Sequence, residues 1–139
     1  MKNSRRQNVL LNNGLEIELK TRGADFVKFV NISQLPTAQR REYPHAILIG
    51  LVLSQEFICQ ISSTPNYMGT IIRTGKIKKD EFQQKELKAD TLADELADLL
   101  FSKGYSAFSQ SEKNLEATGN YDAKNKISPL PHKTIALLA

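Results

Sequence analysis

Apolar positions along this chain follow distinct rhythms, and each rhythm predicts a different element. Leu11, Leu15 and Leu19 stand four residues apart, which stacks them on one side of a helix. The stretch Leu15-Glu16-Ile17-Glu18-Leu19 also alternates as a strand would, but the length of the run and the Arg22-Gly23 stop after it favour the helix. A second helical run begins at Asp80, a suitable N-cap, and reaches Lys103 without proline or glycine. Leu92, Ala93, Leu96, Ala97, Leu99 and Leu100 fall on one side of it, and Asp94, Glu95, Asp98 and Ser102 on the other. Glu81 and Lys85 add a favourable pair four residues apart.

Between the helical runs the period changes. Phe26–Ile32 is rich in aromatic and β-branched residues with apolar side chains on both faces, and Ala46–Leu53 is apolar throughout. Both predict strands covered on two sides. Gly50 interrupts the second wall of side chains, opening a place for another backbone, a flat ligand or a closely packed helix. A third, shorter strand is expected at Tyr105–Ser109. The two helices then share one grammar, helix–glycine–strand, through Arg22-Gly23 and Lys103-Gly104. Residues 110–131 are polar and close on Pro129-Leu130-Pro131, without a clear element. His132–Ala139 reads as the opening of a helix that stops on apolar residues, which are expected to lean on a further portion of protein or on a second copy.

Helices alternating with doubly covered strands predict an α/β or α+β fold, a small layered domain with a central sheet flanked by helices. The 139 residues suit one domain, 1–139, and 40% hydrophobic against 24% charged residues excludes a disordered composition. The longest apolar run, Ala46–Leu53, is too short to cross a bilayer, so no membrane partner is expected. No apolar segment follows the basic start Lys2-Asn3-Ser4-Arg5-Arg6, which predicts a cytoplasmic protein without a cleaved secretory signal.

The net charge of +4 assists phosphate-rich partners without requiring them. Basic residues cluster at Lys2, Arg5 and Arg6, at Arg40 and Arg41, at Lys124 and Lys126, and most densely from Arg73 to Lys79. That last group lacks an aromatic for base stacking, so a solvated segment outweighs a nucleic-acid patch. The acidic residues Asp94, Glu95 and Asp98 read as a solvated face rather than metal ligands, having no histidine nearby. Cys59 is the sole cysteine, which excludes an internal disulfide and any iron–sulfur cluster ligated wholly by this chain. Its apolar neighbours Phe57, Ile58 and Ile61 predict an inert, buried thiol. His45, at a strand entrance, reads as structural.

The strongest pattern is a series of short motifs: Leu92-Ala93-Asp94-Glu95-Leu96-Ala97-Asp98, Lys103-Gly104-Tyr105-Ser106-Ala107, Gln110-Ser111-Glu112, and Leu130-Pro131-His132-Lys133-Thr134-Ile135-Ala136. Together they resemble the epoxyqueuosine reductase-like iron–sulfur proteins, in their N-terminal portion only, and Tyr43–Gly50 resembles their central strand. The resemblance implies a domain like corrinoid-binding and nitroreductase-like folds, contributing to a cobalamin pocket and not catalytic alone. It further implies two [4Fe–4S] clusters in a C-terminal portion not found here, and a queuosine precursor in tRNA as the substrate. His132 and Lys133 match the motif at the helix start, where they address a corrin amide, a phosphate or the tRNA backbone. His132 as a plain helix cap is the competing reading. Tyr67 is a third cofactor-binding candidate, against a tyrosine packed on the surface. Those reductases carry a catalytic acid shortly before this helix, whereas residues 123–128 here hold none. The catalytic residues are thus unassigned. The alternative is a non-catalytic module that binds tRNA or protein and self-associates through the C-terminal helix.

Overall fold

The computed structural model describes residues 2–67, 69, 80–119 and 130–139. The Arg73–Lys79 group and residues 120–129, with Lys124 and Lys126, lie outside them. The order of elements is α1 (Lys2–Thr21), β1 (Phe26–Asn31), α2 (Thr37–Arg40), β2 (His45–Gly50), α3 (Gln55–Ser63), α4 (Glu81–Ser102), α5 (Glu112–Ala117) and α6 (His132–Leu138).

Both long helices end by the same device. After α1 the Ala24 N–H bonds Leu19 C=O at 2.9 Å and the Gly23 N–H bonds Lys20 C=O at 3.0 Å, with Gly23 at φ 109°. After α4 the Tyr105 N–H bonds Leu100 C=O and the Gly104 N–H bonds Phe101 C=O, both at 3.0 Å, with Gly104 at φ 88°. These paired bonds satisfy helix-end carbonyls, and the left-handed residue between them is one that glycine adopts without a Cβ clash. At the other end of α4, Asp80 accepts the Gln83 N–H as the expected cap. Glu81 is engaged away from Lys85, its Oε2 accepting the Ser54 N–H at 2.8 Å.

β1 and β2 pair antiparallel, from Phe26 opposite Gly50 to Asn31 opposite His45. Side chains alternate across this ladder, so each face has its own core. On one face Val27, Phe29, Ile47 and Ile49 meet Leu15 and Leu19 of α1 and Leu92 and Leu96 of α4. On the other Val30, Ala46 and Leu48 meet Ile32, Leu130 and Ile135 of α6. The helix reading of Leu11–Leu19 therefore holds, because Leu15 and Leu19 are the side chains that seal the first core. Burying each such leucine contributes roughly 1.5–3 kcal/mol. The layered α/β arrangement of the described residues is helices α1 and α4, a two-stranded sheet, then α6.

Several expectations change. Tyr105–Ser109 is not a strand: its backbone is irregular, and the Tyr43 hydroxyl to Ser106 Oγ (2.9 Å) and the Arg41 guanidinium over the Phe108 ring (3.9 Å) hold it by side chains instead. With only β1 beside it, β2 is not a central strand among the described residues. Residues 112–117, expected as structureless, form α5, capped by Ser111 and seated through buried Leu115. Cys59 is exposed, because in the single turns of α3 only Phe57 turns fully inward. Gly50 admits neither a ligand nor a helix: the ring of Phe26 covers it. Of the terminal apolar residues Ile135 is buried, whereas Leu137 and Leu138 are exposed. No helix of the described residues is long and apolar enough to cross a membrane.

Candidate functional site

The Ile32 N–H bonds Pro44 C=O at 2.9 Å, and this sets the phase of the ladder. Residues of matching phase, Ala46 and Leu48, exchange hydrogen bonds with β1, so the N–H and C=O groups of Ile47 and Ile49 point away from it. An apolar hollow of about 540 Å³ runs along this outer edge of β2. It is walled by α1, by α4, by the Tyr105–Gln110 segment and by α6.

The hollow has a cause in sequence. Ala89, Ala93 and Ala97 all line it, at spacings of four along α4. Three small side chains in one row leave space where leucines would have packed against the strand. Ala93 and Ala97 were expected on the core side of the helix, and Ala89, which completes the row, carries the same signal.

Of the three cofactor-binding candidates the structure brings one to the hollow. His132 is the first residue of α6, exposed, and lines the rim. It does not cap the helix, whose N-cap is Pro131 without any side-chain bond. Lys133 beside it is exposed and is not part of the lining. Tyr67 is elsewhere, donating its hydroxyl to Asp80 and packing edge-on against Phe57 with centroids 5.7 Å apart. The bond to the Asp80 carboxylate pushes its phenol up to about 12, since losing the proton would set two negative charges together. His45, exposed at the start of β2, also lines the hollow.

Other polar residues at or beside the hollow were not among the site candidates. Asp90 lines the hollow and accepts the Glu112 N–H at 3.2 Å. Burial pushes its carboxyl above the usual range, against the opposing pull of that N–H and of the nearby His132 charge. Asp94, expected on a solvated face, turns inward instead. Its Oδ1 accepts both the Ser109 and the Ser111 hydroxyl at 2.6 Å, because those two serines are buried and need an acceptor. With Asn114 Nδ2 donating to Ser109 C=O at 2.6 Å, this network pins the far wall of the hollow to α4. Arg40 and Arg41 stand at another part of the lining. Arg40 donates to the backbone carbonyls of Leu35 and Tyr43.

Comparisons with protein-family models, with curated proteins and with solved structures found no match.

Proposed function

We propose that this chain is the ligand-binding N-terminal portion of an epoxyqueuosine reductase-like iron–sulfur oxidoreductase, with the hollow beside β2 as the seat of the ligand and a corrinoid as the first candidate. The observation that carries the reading is the convergence of Leu130 and His132, two residues of the Leu130-Pro131-His132-Lys133 motif, and the alanine row of α4 on one apolar hollow. Its volume lies in the range of small-molecule sites. The residues present fit the flat ring of a corrinoid, which needs an apolar floor and a few polar groups at its edge.

When bound, a corrinoid supplies redox chemistry at its cobalt, with electrons delivered from clusters outside this chain. The chain's own residues bind and orient. The aliphatic walls exclude water from the ring face, and His132 offers a ring nitrogen at the rim. Asp90, whose carboxyl burial raises, is the acid of the lining and is held there by the Glu112 N–H. Catalysis by this chain alone is not part of the proposal, and a tRNA substrate would meet the completed site.

Titration with cobalamin tests the reading. A saturable shift of the corrin absorption bands, lost when Ala97→Trp fills the hollow, is the expected result. Unchanged bands at high cobalamin overturn the corrinoid assignment.

The exposed Leu137 and Leu138 favour a second reading, a non-catalytic module that binds tRNA or protein and self-associates through α6. Light scattering that stays monomeric at high concentration removes the self-association. Absence of tRNA binding at low salt removes the nucleic-acid part.

A further inference from the structure

Arg41 is an exposed cation without a carboxylate partner among the described residues, and an aromatic ring stands beneath it. Its guanidinium carbon stands 3.9 Å from the centroid of the Phe108 ring. The turn that sets it there is strained. Arg41 has φ 52° and Glu42 φ 68°, two successive residues with a Cβ in the left-handed region. Such conformations persist only where the surroundings enforce them, and they concentrate at binding sites. Arg40, next to it, is fixed by carbonyls alone, through Nε to Leu35 O at 2.9 Å and Nη1 to Tyr43 O at 3.4 Å. Among the described residues neither arginine's charge is balanced by an acid, and both line the hollow. The acid in the lining, Asp90, is already turned to the Glu112 N–H.

An uncharged apolar guest would fill the hollow and leave these two cations unanswered. An anion answers them, because a guanidinium set over a ring loses less freedom than a free one when it forms forked bonds to an oxyanion. We infer that the hollow takes an amphipathic anion, with an apolar body along β2 and the alanine row of α4, and a carboxylate or phosphate head on Arg41. The inference rests on the hollow being a ligand site but not on that ligand being a corrinoid.

Two fluorescent probes of one skeleton test it on the full chain: 1-anilinonaphthalene-8-sulfonate, an anion, and N-phenyl-1-naphthylamine, its uncharged counterpart. The anion is expected to bind about tenfold more tightly. Arg41→Gln abolishes that preference and changes the neutral probe by less than about twofold, while Arg41→Lys retains part of it. Ala93→Trp, which fills the hollow, weakens both probes. Equal affinity of the two probes for the unaltered chain, or an anion affinity untouched by Arg41→Gln, overturns the inference.

If Arg41→Gln does not fold, as judged by circular dichroism, the unaltered chain still decides the matter. Raising salt from roughly 50 to 500 mM must weaken the anion and spare the neutral probe, and equal responses overturn the proposal. Decanoate and decyl phosphate, as competitors, separate the two head groups: displacement by one alone assigns it, and displacement by neither overturns the inference. Anion binding together with an unshifted cobalamin spectrum would discard the corrinoid and keep this ligand class.

Discussion

The ring of Phe26 lies across Gly50 of the neighbouring strand, so that a Cβ built on the glycine would stand 1.8 Å from the ring's Cζ. The aromatic thus supplies the contact that the glycine lacks. Gly50→Ala must push the ring aside, and the expected loss is about 1 kcal/mol. In a Phe26→Ala background the same change meets empty space and becomes neutral or stabilising, by up to about 0.5 kcal/mol, since alanine is stiffer than glycine in an unfolded chain. Urea denaturation of the four proteins checks this, and equal effects of Gly50→Ala in both backgrounds would contradict the coupling.

Asp94 is the single acceptor for two buried hydroxyls, those of Ser109 and Ser111. Asp94→Ala strands both and is expected to cost about 3 kcal/mol, whereas Asp94→Asn keeps an acceptor oxygen and costs about 1 kcal/mol. Denaturant midpoints measure the difference. A near-neutral alanine variant would mean that the serines find other partners.

Tyr67 donates to Asp80, and this gives one of the four tyrosines a late titration, at about 12 rather than the ordinary 10. Asp80→Asn should return it toward 10, while the asparagine oxygen can still cap α4 through the Gln83 N–H. The folded state favours the protonated phenol. Its contribution to stability is therefore complete below the unfolded value and is lost as pH rises through the folded one. Near-ultraviolet tyrosinate absorbance follows the step, which should be missing from the aspartate variant's high-pH limb.

Asp90 is raised, first by burial. An acid whose folded value exceeds its unfolded value destabilises the fold once pH climbs past the folded one. Asp90→Asn is accordingly expected to equal or exceed the unaltered chain in stability at pH 7, with the gap closing as the solution is acidified through the carboxylate range. A variant less stable at neutral pH, with no narrowing in acid, would reverse the assignment of cause.

Much of the fold is legible wherever local chemistry decides. Arg22-Gly23 and Lys103-Gly104 announce helix ends because glycine alone relieves the left-handed position there, and Asp80 announces a helix start because its carboxylate meets a free N–H. The leucine row of α1 and the apolar side of α4 follow for the same reason: period dictates face. Reading failed where distant side chains choose the conformation. Tyr105–Ser109 has a strand's composition, but Tyr43, Arg41 and Asp94 reach it from other elements and hold it off β2. Asp94 looked solvent-facing on its own helix, and only the buried serines of another segment reveal its inward turn. In the candidate site His132 was visible as a motif residue. Arg41 is legible only as half of a short basic pair and Asp90 not at all, because nothing ties either to a cavity until the chain brings them to the same hollow.

The exposure of Cys59 has a practical side. With one sulfhydryl per chain and that one open to solvent, oxidation in air can join polypeptides only in pairs. A non-reducing gel that shows bands above the doublet mass would have to owe them to something other than sulfur, and a maleimide dye would tag every molecule at one known place on α3.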